Sequence, residues 1–142
     1  MTQSQGELRV TTRAKGLYEI TREIRKWIGS QQIQSGLCTI FIQHTSASLI
    51  IQENADPDVR RDLSEFFERL VPESTPWFRH TTEGPDDMPS HIRAALTTTQ
   101  LSIPVRDGQL ALGTWQGIYV AEHRARPHRR EVVLQFLGCC AE

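Results

Sequence analysis

Histidine occupies positions 44, 80, 91, 123 and 128, and three of these stand among polar residues that packing alone does not require. His44 opens "HTSASLIIQEN", a strand-like run with an imidazole and two hydroxyls at one end and Gln-Glu-Asn at the other. His80 and His91 frame "HTTEGPDDMPSH", where Glu83, Asp86 and Asp87 are punctuated by Gly84, Pro85 and Pro89. Imidazoles with nearby carboxylates suit transition metals such as zinc, nickel, cobalt or iron. Neither H-E-x-x-H nor H-x-x-E-H occurs, so such a site has to be assembled from distant segments. Taken singly, each histidine is also explained as a hydrogen-bonded or surface residue, and His128, in a predicted turn, is read that way. Long irregular loops in compact domains tend to be functional. Asp86 and Asp87 have a second explanation, as dipole complements ahead of a short helix. Glu83 and the histidine pair do not.

Arg124, Arg126, Arg129 and Arg130 offer planar, bidentate donors for a phosphate or diphosphate, and a solvated hairpin tip explains them equally well. "GTWQG" sets Gly113 and Gly117 around Trp115 and Gln116, which permits close backbone approach beside an aromatic wall. The chain has no G-x-x-x-x-G-K-[ST] loop, no G-x-G-x-x-G and no G-x-S-x-G, so nucleotide-dependent motors, Rossmann dehydrogenases and α/β-hydrolases are unsupported.

The elements that must position these groups read as mostly strands. "ELRVTT" alternates, and "GLCTIFIQH" and "SLIIQE" are rich in β-branched residues. "YEITREIRKWIG" puts Ile20, Ile24, Trp27 and Ile28 on one helical face, with Gly29 as the expected stop. A second helix begins at "ADPDVRRDL", with Asp56 as N-cap and Pro57 at the first position, and Pro72 ends it. Its apolar stripe is Val59, Leu63, Phe66, Phe67 and Leu70, while Asp58 and Asp62 suit the dipole at its start. "PSHIRAAL" is a third, short helix. Asp107-Gly108 predicts one hairpin, and "RARPHRR" is read as the turn of another. The expectation is one α+β domain over residues 1–142, a largely antiparallel sheet with two or three inserted helices.

At 142 residues the chain can bury a real core. Sixteen Lys and Arg against seventeen Asp and Glu give a net charge of −1, which argues against a general nucleic-acid binder. No stretch approaches a membrane span or an apolar signal segment, so a cytoplasmic protein is expected. Three cysteines without C-x-x-C agree with a reducing compartment, Cys38 being read as a small core residue.

"QHTSASLIIQENADPDVRRDL", "EGPDDMPSHI" and "LSIPVRDGQLALGTWQGIYVAEHR" together resemble the YjbQ family, also called the secondary thiamine-phosphate synthase family. The match covers nearly the whole chain, and the block from Pro104 to Gly117 is the most specific part. The resemblance implies a compact α+β homotrimer with a pocket where the His44 segment meets the His80–His91 loop. It also implies a thiamine-phosphate-synthase-like transferase activity, as a main or a secondary role, joining a pyrimidine-methyl diphosphate to a thiazole phosphate. The alternatives are a metal-dependent hydrolase or lyase and a non-catalytic trimer that binds a metal or metabolite. Positions matching the family's motifs include His44, Thr45, Ser46, Asn54, Asp58, His80, Glu83, Gly84, His91, Trp115, Gln116 and Glu122. With the family blocks in view, His44, His80 and His91 are the expected ligands of a zinc-type ion, with Mg²⁺ as the alternative for diphosphate chemistry. Glu83, Asp58 and Asn54 are the expected catalytic groups. Thr45, Ser46, Gly84, Trp115, Gln116, Arg124, Arg129 and Arg130 are expected to hold a small phosphorylated metabolite.

Overall fold

Alternation begins with the first residues, well ahead of the predicted strand: β1 spans Thr2–Thr12 with Leu8 and Val10 turned toward the core. The computed structural model describes residues 1–140. After β1 come β2 (Gly16–Glu19), α1 (Thr21–Ser30), β3 (Ile33–Ile42), β4 (Ala47–Glu53), α2 (Pro57–Leu70) and α3 (Asp87–Leu96). The chain then forms β5 (Gln100–Arg106), β6 (Gln109–Leu110), β7 (Gln116–Glu122) and β8 (His128–Cys140).

The strands form two antiparallel sheets, ordered β1-β8-β3-β5-β6 and β2-β7-β4. The expected α+β domain with inserted helices is what folds, with its strands divided between two sheets. The core lies between the sheets and is closed by Ile24 and Ile28 from α1 and by Ile20 just before it. Cys38 is buried within it, and burial pushes its thiol up to about 11. Gly29 does not stop α1, which runs on to Ser30; the chain leaves through Gln32 at φ 52°.

The Asp107-Gly108 hairpin forms, both residues having positive φ as its tight turn requires. The second predicted hairpin does not. β7 pairs with β2 and β4, whereas β8 pairs with β1 and β3, so residues 123–127 cross from one sheet to the other. The crossing is pinned by carboxylates, Glu122 accepting the Arg124 N–H and Asp86 the Ala125 N–H.

Asp56 caps α2 as expected, accepting the Asp58 N–H at 2.9 Å. The stripe of α2 is only half covered: Phe67 meets His123 edge-on, while Phe66 and Leu70 remain exposed. The helix lies over the outer face of β7, with Arg60 above the Tyr119 ring, and none of its residues is fully buried.

Candidate metal centre

Helix α3 starts at Asp87, two residues earlier than its apolar pattern indicates. That places Asp87 and His91 one turn apart on the same face. The loop before it returns His80 to the same point. His80 Nε2 lies 2.6 Å from Asp87 Oδ2, and His91 Nε2 lies 3.1 Å from the same oxygen. Glu83 Oε2 is 3.0 Å from His80 Nε2. Among the described residues, His80, Asp87 and His91 present three ligand atoms within 4.8 Å of one another.

The proton on His91 is fixed by a distant strand. His91 Nδ1 is 2.9 Å from the Thr45 carbonyl oxygen, which only accepts, so Nδ1 carries the hydrogen. In the neutral ring Nε2 is then a bare lone pair aimed at a carboxylate oxygen. Two lone pairs facing each other call for a proton or a cation between them. A histidine oriented through its other nitrogen is the usual arrangement of a metal ligand.

Asp87 is almost fully buried, whereas His80 and Glu83 are open to solvent. Burial alone would push the Asp87 carboxyl up. The His80 hydrogen bond and the charges of His91 and Arg124 outweigh it and hold the group below its ordinary range. Arg124 braces the loop from behind. Its Nε donates to Asp86 Oδ2 at 3.0 Å, one terminal nitrogen donates to Asp87 Oδ1, and the other donates to the Glu83 carbonyl at 3.0 Å. The Ala125 N–H adds a bond to Asp86 at 2.9 Å. Gly84, at φ 105°, makes the turn that allows this, a conformation costly for a residue with a Cβ.

His44, expected as the third imidazole, is not part of this cluster. Its Nε2 accepts the Glu131 N–H at 2.8 Å, and burial beside Arg130 lowers its pKa. Thr45 and Ser46 serve through carbonyls, the first orienting His91 and the second accepting from Arg130 and the His123 N–H. Arg130 is buried and committed to Glu122, which also accepts from Thr12 Oγ1 at 2.6 Å and the Arg124 N–H at 3.1 Å. Burial pushes the Glu122 carboxyl up, but these donors hold it below its usual range. Arg129 is exposed on β8.

The remaining predicted residues lie elsewhere. β4 starts opposite Glu122 and ends opposite Gln116, and its length of seven residues spans about 20 Å at the usual strand rise. Asn54, Asp58, Trp115 and Gln116 therefore gather at the far end of the small sheet from His91. There the Asn54 N–H donates to the Trp115 carbonyl at 3.0 Å, and Gln116 Oε1 accepts the Gly113 N–H at 2.7 Å. One chain does not bring Asn54 or Asp58 to Glu83.

Sequence reasoning missed Asp87 as the centre of the cluster, having accounted for it as a dipole complement. The available signal was the Asp87–His91 spacing of four, which shares a face only if the helix starts early. It also set His123 aside. That ring is buried, with Nε2 2.9 Å from Ser48 Oγ, and burial followed by the charge of Arg93 lowers its pKa to about 4.

The fold and cluster define a class: an α+β protein of two antiparallel sheets carrying a His-Asp-His set at the start of a short helix. Residues 6–139 match the family described as UPF0047 protein YjbQ-like, and the chain belongs to that family. It is 53% identical over 136 residues to a UPF0047 protein of Synechocystis sp., covering 96% of this chain and 92% of the relative. It is 39% identical over 135 residues to YjbQ of Escherichia coli O157:H7, covering 94% and 97%. The crystal structure of a conserved hypothetical protein from Thermus thermophilus superimposes with a TM-score of 0.83 at 34% identity, covering 93% of this chain and 99% of that one. None of these descriptions states an activity.

Proposed function

We propose that this protein is a metal-dependent enzyme acting on a small molecule, with a divalent transition ion of the zinc type held by His80, Asp87 and His91. The observation that carries the reading is the His91 ring, fixed by Thr45 so that its free nitrogen faces the carboxylate oxygen that His80 also reaches. Two imidazoles and one carboxylate form a donor set that zinc accepts, and three protein ligands leave a position for substrate. Bound there, such an ion supplies Lewis-acid polarisation of a substrate oxygen. Glu83, exposed and within reach of His80, is placed to take or return a proton at that position.

Transfer with loss of diphosphate, the reaction implied by the family resemblance, stands second. It needs free cations or a Mg²⁺ ion beside the leaving group. Arg124 and Arg130 are both committed to carboxylates, and two imidazoles suit Mg²⁺ poorly. A homotrimer is proposed as well. The outer face of the large sheet leaves Leu37, Phe41 and Leu137 between 42% and 50% exposed, an apolar surface for further copies to cover.

Titration calorimetry of tag-free, chelator-treated protein with Zn²⁺ tests the metal reading. One ion per chain, with the affinity lost in His80→Ala and Asp87→Asn, is expected. Absence of uptake, or equal uptake by both variants, overturns it.

A further inference from the structure

A cavity of about 270 Å³ opens beside His80, between the loop after α2 and the start of α3. Phe78, Pro85 and Met88 give it an apolar wall, and Ser74 and Thr81 add hydroxyls. Phe78 is stiffened by an edge-on contact with Trp77, their ring centroids 4.9 Å apart. Among the described residues neither lysine nor arginine lines the cavity, and His80 is its sole ionisable residue.

The described lining gives an anion no lysine or arginine to pair with, and His80 Nε2 is already engaged by the Asp87 and Glu83 carboxylates. Arg124, half-buried behind the loop, has donors from all three of its nitrogens spent on Asp86, Asp87 and the Glu83 carbonyl. Arg79 is exposed and does not line the cavity. Small-molecule sites are mostly apolar with a few placed polar groups, and this one is small.

We infer that this cavity receives the uncharged, largely apolar body of the substrate, an alkyl or aryl group, and that a phosphorylated body is excluded. The assignment deepens the metal-centre reading and rests on it for where the reacting end lies. It differs from the phosphorylated metabolite that the family resemblance implies. Recognition at this end comes from Phe78, Pro85 and Met88, and rejection comes from the lack of a lysine or arginine in the described lining.

The methionines are Met1 and Met88, so methyl-labelled protein gives a single reporter inside the cavity. Chelator-treated protein is titrated with benzyl alcohol and, separately, with benzyl phosphate, which share the same body. Benzyl alcohol is expected to shift the Met88 methyl resonance saturably and to leave Met1 unmoved. Benzyl phosphate is expected to bind at least tenfold more weakly, and Phe78→Ser to weaken benzyl alcohol about fivefold. Equal or tighter binding of the phosphate, or no movement of Met88 with either probe, overturns the assignment. A Zn²⁺ titration of the same samples separates the two readings. Zinc uptake with a silent Met88 sinks the cavity assignment alone. A Met88 response without zinc uptake upholds the cavity assignment and sinks the metal reading alone.

Discussion

His91 Nδ1 sits 2.9 Å from the carbonyl oxygen of Thr45, a residue 46 positions earlier in the chain. This contact joins α3 to the segment that enters β4, and it decides which ring nitrogen is free. Replacing His91 by Ala removes both the proposed ligand and the brace. Zinc affinity should fall by roughly two orders of magnitude or more, beyond the loss typical of outer-shell changes. Calorimetry measures this, and an unchanged dissociation constant would remove His91 from the site.

His44 provides the contrasting case. Its Nε2 satisfies the Glu131 N–H, so His44→Ala leaves a half-buried donor without its partner. Stability should drop by about 1–3 kcal/mol, while zinc affinity stays within about threefold. Urea unfolding and a metal titration on one preparation check both halves. A large loss of metal affinity would return His44 to the ligand set.

The arginines separate by burial. Arg124→Gln strands Asp86 and Asp87, two buried carboxylates, and should cost roughly 3 kcal/mol, the scale for breaking a buried pair. Arg129 is exposed, and Arg129→Gln should stay within about 0.5 kcal/mol. Equal urea midpoints for the two variants would contradict the bracing role of Arg124.

Acid stability follows from His123, whose folded pKa is about 4 against an ordinary 6.5. Between these values the unfolded chain holds the proton and the folded protein does not. Stability is therefore full above about pH 6.5 and declines as pH falls toward 4, by about 3 kcal/mol at most. Glu122 acts in the same direction at lower pH. Its folded pKa is depressed, so its contribution, present above its unfolded value, is lost as pH falls through the folded one. His123→Gln should flatten the decline between pH 6.5 and 4. Parallel curves for wild type and variant would show that another group titrates there.

Much of the fold was legible because its signals are local. The Ile20, Ile24, Ile28 spacing, the Asp56-Pro57 start and the Asp107-Gly108 turn each depend on a few neighbouring residues. The crossing at residues 123–127 was not legible, since a hairpin and a change of sheet use the same turn residues. Only the long-range pairing of β7 with β2 and β4, and of β8 with β1 and β3, distinguishes the two. The loop from His80 to His91 was legible as a candidate site, but the place of Asp87 at the centre of its cluster was not. Asp87 had a sufficient local explanation, and its role depends on Thr45 and His80 arriving from elsewhere. Asn54 and Asp58 match the family's motifs and are expected in the same pocket as His44, yet a strand carries its two ends apart.

The most direct measurement is an anomalous difference map at the zinc edge from crystals of the zinc-loaded protein. The account predicts one peak per chain, about 2.0–2.2 Å from His80 Nε2, His91 Nε2 and an Asp87 carboxylate oxygen, with Glu83 beside it. A peak centred on His44, or none within reach of Asp87, would contradict it.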